Sequence, residues 1–291
     1  MLATAAAGLA ISAGGLGALL VKAMQVKTLR WVVFYGQTAD EATLAAYDIV
    51  ILDPGFTGSI EAVARSGAQL FGYLSLGEIR TTSPFFGRVH ADAVLDESLF
   101  SPGTRKIDIR HPSWQSLVLD HLVPEIQAQG FAGLMLDTLD TPPHLEQVDG
   151  ERYAGMRQAA IDLVRTIRSR WPEMKLIMNR GYALLPELAD ILDAIIAESL
   201  LTRPNPANGN SMWTSEREVA QQLALLTPVK RWWWAPPILS LDYWAPEDTA
   251  TIEQIYRRER KLGHHPYVAT PLLDRIVPEP PSGQEIDGTR S

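Results

Sequence analysis

Two carboxylates, Asp137 and Asp140, close the stretch Gly130-Phe131-Ala132-Gly133-Leu134-Met135-Leu136-Asp137-Thr138-Leu139-Asp140. It reads as a tight turn, an unbroken apolar strand, then two acids just where the strand should end. An apolar run without polar alternation suits a strand covered on both faces, as in a parallel sheet. In such folds ligand sites collect at the carboxyl ends of the strands. A lone aspartate in that place would more simply be a helix N-cap. A second acid, Glu198, ends another apolar run, Ala194-Ile195-Ile196-Ala197, about sixty residues later. Two opposed carboxylates are what glycosidic bond cleavage requires: one to attack or to activate water, the other to protonate the leaving oxygen. The acid must also be held protonated at working pH by its surroundings.

The elements that would position these acids alternate between short apolar strands and stretches of helical period. Strands are expected at 31–35, 48–53 and 69–76, within the 130–140 stretch, and at 175–179, 194–198, 234–243 and 266–270, with a small added strand at 106–110. Helices are expected at 39–47, 59–65, 111–129, 151–171, 185–192, 214–226 and 247–262, and a loop with a short helix over 81–103. Eight strand–helix units over about 250 residues match an α/β fold built as a single (β/α)8 TIM-like barrel. A doubly wound open sheet competes, but no Gly-rich phosphate loop follows the first strand. In a barrel, strands four and six lie within one strand of each other, so Asp137 and Glu198 would face across a pocket. The other polar residues at strand ends are Tyr35, Asp53, Tyr73 with Ser75 and Glu78, Asp140, Asn179 with Arg180, Asp242 with Tyr243, and Thr270 with Asp274.

Composition narrows the chemistry. The chain has 291 residues, a net charge of −8 and no cysteine. Acidity argues against a nucleic-acid partner, which needs basic patches. Without cysteine there are no disulfides, no thiolate nucleophile and no Cys-ligated zinc. The six histidines lack the spacing of a metal motif, so neither a metal nor any other cofactor is expected. From Met1 to Val21 there is no charged side chain. This leader is compatible with a signal peptide or a weak membrane anchor over residues 1–23, and the small residues around Lys22 favour cleavage after Ala23. The barrel is expected over 28–277, and Pro-rich residues 278–291 read as a disordered tail. A secreted or cell-envelope monomer follows as the expectation.

Tryptophans add a sugar-like signature, since sugars present C–H faces that stack on aromatic rings. Trp213, Trp232, Trp233, Trp234 and Trp244 gather around the seventh unit, and Trp234 is the one expected in a binding subsite. Neighbours on a strand alternate faces, so Trp233 cannot point the same way as the other two of its run. Some of these rings would simply pack under loops.

Five motifs then occur in a familiar order: Tyr73-Leu74-Ser75-Leu76-Gly77-Glu78; Asp108-Ile109-Arg110 with Trp114; the 130–140 stretch; Asn179-Arg180-Gly181; and Ala197-Glu198-Ser199-Leu200. The set resembles the endo-α-1,4-polygalactosaminidase family, glycoside hydrolase family 114, which includes hydrolase domains linked to bacterial Pel-type exopolysaccharide. The likeness runs from about Trp31 to Asp274. It implies a barrel that cleaves α-1,4-linked galactosamine or N-acetylgalactosamine polymers with retention, Asp137 as nucleophile and Glu198 as acid/base. It also implies that Tyr73, Glu78, Asp140, Asn179, Asp242 and Tyr243 line sugar subsites. Ala132 and Thr138 depart from the family's usual Asp and Asn, and Thr138 beside Asp137 bears on subsite specificity. The reading from a different class is a barrel that binds polysaccharide in an export or adhesion assembly without cleaving it.

Overall fold

The computed structural model describes residues 29–98, 102–230 and 235–281. The expected leader, the Trp232-Trp233-Trp234 run and tail residues 282–291 lie outside the described residues. Thirteen strands are described, in three sheets: β1 (Trp31–Phe34), β2 (Ile49–Leu52), β3 (Gln69–Ser75), β4 (Glu78–Arg80), β5 (Val94–Glu97), β6 (Thr104–Ile107), β7 (Gly133–Asp137), β8 (Lys175–Asn179), β9 (Ala194–Glu198), β10 (Thr202–Pro204), β11 (Ser211–Trp213), β12 (Ile238–Tyr243) and β13 (His265–Ala269). Eight of them pair in parallel in the order β1-β2-β3-β7-β8-β9-β12-β13, with helices in the crossovers. This is the (β/α)8 barrel, nearly closed. Each barrel strand is buried along most of its length, which is why the sequence shows apolar runs rather than alternation.

Closure at the seam between β1 and β13 comes from individual bonds rather than a ladder. The Trp31 indole N–H donates to the His265 carbonyl at 2.7 Å, the Leu29 N–H to His265 Nδ1 at 3.1 Å, and the Tyr35 N–H to the Leu273 carbonyl at 2.6 Å.

Three departures from the sequence expectation share a cause: short elements inside insertions carry little periodicity. The 81–103 region holds β5 and, with β4 and β6, forms a three-stranded antiparallel sheet in the order β4-β6-β5. A hairpin, β10 and β11, follows β9. A helix that the sequence reading does not include, Thr141–Val148, carries Pro142-Pro143 in its first turn; proline is tolerated there because its missing N–H would have no partner anyway. The 111–129 helix is interrupted by a π segment at Val118–Leu122.

The loop after β3 is pinned against β7 by packing that only glycine permits. A Cβ on Gly77 would stand 2.4 Å from the Thr138 carbonyl oxygen. The Gly77 N–H donates to Thr138 Oγ1 at 2.8 Å, and the buried Trp114 indole donates to the Leu76 carbonyl at 2.9 Å. Among the described residues, no helix is long and apolar enough to cross a membrane.

Candidate active site

Polar residues at the ends of the central strands meet over an apolar floor. Tyr35, Asp137, Asn179, Glu198 and Tyr243 line one pocket of about 70 Å³ together with Val33, Met135, Ile196, Leu241 and Leu273. The register explains the lining. Met135, Ile196 and Leu241 each stand two residues before a polar lining residue on the same strand, and Val33 two before Tyr35 just past the end of β1; strand side chains share a face at every second position. The apolar floor is the part of the site left unnamed in the sequence reading, and this i, i+2 pairing is the signal that marks it.

Asn179 joins the two acids. Its Nδ2 donates to Asp137 Oδ1 at 2.9 Å and to Glu198 Oε2 at 2.6 Å. One nitrogen that close to both confines these two bridging oxygens to a separation of roughly 5.5 Å or less. The Tyr243 hydroxyl donates to the other Glu198 oxygen at 2.6 Å. Asp137 is bonded in addition by the Thr138 N–H and the Tyr73 hydroxyl. Tyr73 packs edge-on against Tyr35, ring centroids 5.1 Å apart.

Burial pushes the Asp137 carboxyl up to about 6, and the charge of Glu198 pushes in the same direction; the bonds from Thr138, Asn179 and Tyr73 oppose both. The hydroxyls of Tyr35, Tyr73 and Tyr243 are held well above the usual phenol range, first by burial and then by neighbouring acidic groups. All three therefore stay neutral and keep their O–H protons for donation.

Strand ends β7, β8 and β9 share a backbone device. The residue after each lining residue is left-handed without being glycine: Thr138 at φ 60°, Arg180 at 51° and Ser199 at 58°. Such residues carry strain that surrounding structure must overdetermine. Here the bonds are visible: Thr138 Oγ1 is engaged by Gly77 and Ser75, Arg180 N–H donates to the Ile196 carbonyl, and Ser199 N–H to the Leu241 carbonyl. Thr138 thus directs its hydroxyl toward the β3 loop.

The remaining expected subsite residues divide. Asp140 and Arg180 form an ion pair at the rim, Nε to Oδ2 at 2.8 Å, and Asp140 Oδ1 accepts from the Gly181 N–H. Asp140 stands at the N-cap position of the 141–148 helix, yet its side chain does not cap it. Glu78 is turned into structure: its Oε1 accepts from the Ser98 and Thr141 hydroxyls at 3.1 Å each, tying the inserted sheet to the loop after β7. Asp53 accepts from the Gly55 N–H at 2.7 Å in a local turn, and neither it nor Glu78 lines the pocket.

Asp242 is the clear correction. It is fully buried and faces away from the pocket, because its neighbours Leu241 and Tyr243 take the inward positions on β12. Trp234 lies outside the described residues. Trp213 and Trp244 pack on each other, centroids 5.6 Å apart, with the Arg258 guanidinium 5.0 Å from the Trp213 ring centre. They belong to an aromatic–cation stack beside the second small core rather than to the pocket.

Histidines that look scattered in sequence do converge once. His90 and His111 stack with centroids 5.2 Å apart, and with Asp92 they bring potential ligand atoms within 4.8 Å of one another. Both rings already accept helix-capping N–H bonds at Nδ1, from Asp92 and Ser113.

Comparison with known proteins fits this geometry. The glycoside hydrolase domain of PelA from Pseudomonas aeruginosa is similar in structure, with a TM-score of 0.76 and 27% sequence identity, over 84% of this chain and 96% of that one. Ega3 from Aspergillus fumigatus, solved in complex with galactosamine, shares the fold with a TM-score of 0.64 and 14% identity, over 86% of this chain and 94% of its own. Comparison of the sequence with curated proteins gave no match. The family model for glycoside-hydrolase family GH114 matches residues 20–283. The chain therefore belongs to glycoside-hydrolase family GH114, and its barrel is that of a glycoside hydrolase.

Proposed function

We propose that the enzyme is an endo-acting hydrolase of α-1,4-linked galactosamine and N-acetylgalactosamine exopolysaccharide, working through a two-carboxylate retaining mechanism. The observation that carries this reading is the Asn179 bridge, which holds Asp137 and Glu198 close while keeping them from touching. The substrate class is supported by likeness to the PelA hydrolase domain and, at the level of the fold, to a protein solved with galactosamine. The net charge of −8 suits a partly deacetylated, cationic polymer through long-range attraction. A secreted or envelope location, reached through residues 1–23, belongs to the same reading.

Asp137 takes the part of nucleophile. The Thr138 backbone N–H on its carboxyl only donates, so it favours the anion throughout. Its carboxylate attacks the anomeric carbon while Glu198, protonated, gives its proton to the departing oxygen; Glu198 then deprotonates the water that releases the product. Glu198 must alternate between charged and neutral. The Tyr243 hydroxyl suits that cycle because it either donates or accepts. Asp140, Arg180 and Tyr35 border the path of the chain.

The test is product release from α-1,4-galactosaminogalactan and Pel-type polymer by wild type, Asp137→Asn and Glu198→Gln, with the anomer formed first read by NMR. Wild type should liberate oligosaccharides of retained configuration, and each variant should fold yet lose about 10³-fold or more of activity. Polymer binding without release would replace the hydrolase by a polysaccharide-binding barrel. Release of inverted product would overturn the mechanism alone.

A further inference from the structure

A second carboxyl pair lies on the opposite face of the strand that carries Tyr243. Asp242 Oδ1 accepts from the backbone N–H groups of Leu201 at 2.9 Å and Thr202 at 2.6 Å, and from the Thr202 hydroxyl at 3.3 Å. The Thr202 hydroxyl in turn accepts from the Tyr243 N–H at 3.1 Å. All of these groups are shut off from solvent. Asp242 Oδ2 finds no donor among the described residues, and the group it meets is the carboxyl of Glu259, from the Thr249–Lys261 helix, in carboxyl–carboxyl hydrogen-bond contact. Two carboxyls bond only through a proton, so this pair holds one between them. Glu259 is also bonded by His264 Nδ1 at 2.6 Å, both side chains fully buried. The apolar residues around the cluster, Leu201, Ile252, Ile255, Tyr256, Val268 and Val277, form the small second core.

Through that one carboxyl, the turn that follows Glu198 is fastened to the strand end that presents Tyr243. Leu201 and Thr202 stand three and four residues after Glu198, and Tyr243, whose hydroxyl donates to Glu198, is the next residue after Asp242. We propose that Asp242 is a positioning residue of the active site: it locks the β9 turn to β12 and so fixes Glu198 against Tyr243 from behind the barrel wall. This rests on the glycosidase reading for its activity readout but not for its chemistry. Asparagine keeps the geometry: its oxygen accepts the two backbone N–H bonds and its amide faces Glu259 without adding a charge.

The experiment compares Asp242→Asn with Asp242→Ala in the full chain, measuring kcat and KM on the polymer and the infrared carbonyl band of a protonated carboxylic acid at neutral pH. In a Glu198→Gln background that band should remain and Asp242→Asn should remove it, and Asp242→Asn alone should hold kcat and KM within about threefold of wild type. Asp242→Ala should lower kcat by about tenfold to 10²-fold with KM within about threefold, the signature of a displaced group rather than a lost sugar contact. Where Asp242→Ala does not fold, Thr202→Val severs the Thr202–Tyr243 link and should lower kcat in the same direction by less. Loss of activity in Asp242→Asn equal to that in Asp242→Ala, no protonated-acid band in the Glu198→Gln background, or an unchanged kcat in both Asp242→Ala and Thr202→Val each overturns the proposal. A wild type that cleaves nothing sinks the glycosidase reading instead. Asp242 is then judged by the band and by polymer affinity, kept in Asp242→Asn and weakened in Asp242→Ala if the proposal holds.

Discussion

Two pairs of carboxyl groups among the described residues, one across the ends of β7 and β9 and one between β12 and the Thr249–Lys261 helix, are treated in opposite ways. Asp137 and Glu198 open onto a pocket and are held apart by the amide of Asn179, each with its own tyrosine donor. Asp242 and Glu259 are sealed between barrel and helix and meet directly. Separation lets two acids keep distinct protonation histories, which a double displacement demands. Contact merges two acids into one proton-sharing unit whose value is geometric. The difference is made by a single intervening donor and by access to solvent.

The strongest way to break the comparison is to remove the separator. Asn179→Ala takes a donor from both acids at once; since the Asn179 bond lowers the Asp137 pKa, its loss should move the acidic limb of kcat/KM above its wild-type position near pH 6 and lower the maximum by about 10²-fold. A pH profile at fixed ionic strength checks both, and an unmoved limb would mean that Asn179 only packs.

Stability against pH sharpens the comparison next. A raised folded-state pKa means that stability is full below the ordinary carboxyl range and is lost as pH climbs through the folded value. For Asp137, raised by burial from 3.8 to about 6, the loss starts near pH 4 and levels off above about 6, reaching at most about 3 kcal/mol. Asp137→Asn should therefore match wild type near pH 4 and exceed it by up to that amount at pH 8, in urea titrations. Burial and the charge of Glu259 hold Asp242 well above the carboxylate range, so Asp242→Asn should likewise gain on wild type as pH rises from about 4. An Asp242→Asn curve that runs parallel to wild type would show that Asp242 is not shifted by its burial.

The smallest effect belongs to a single donor. Tyr243→Phe removes the 2.6 Å bond to Glu198 while leaving the ring in place, and kcat/KM should fall about tenfold, the worth of one charge-assisted bond. Unchanged turnover would remove Tyr243 from the machinery.

How much of this could be read from the chain depends on what each residue answers to. The barrel strands were legible because burial on both faces writes an apolar run that ends abruptly at a polar residue, as at Asp137, Asn179 and Glu198. The direction of Asp242 was also legible in principle: it neighbours Tyr243 on a strand, and alternation admits only one of the two to the pocket. The motif set drew both inward and hid that conflict. Glu78 and Asp53 misled for another reason. Position at a strand end is a property of sequence, whereas the partners that captured them, Ser98, Thr141 and Gly55, are set by the fold of insertions and turns. The convergence of His90 and His111 depends on the inserted sheet packing beside a helix start, which no local pattern records.

The barrel seam gives the pocket an uneven wall. Seven of the eight junctions between neighbouring strands carry ladders of backbone bonds, whereas β1 and β13 are joined by a few isolated ones. Local opening is favoured where few cooperative bonds must break, and this junction has isolated bonds where the other seven have ladders. Tyr35 and Leu273 stand there, bonded to each other and both lining the pocket. For the exopolysaccharide proposed as substrate, the least laddered side of the barrel is thus also the side on which Tyr35 borders the pocket of Asp137 and Glu198.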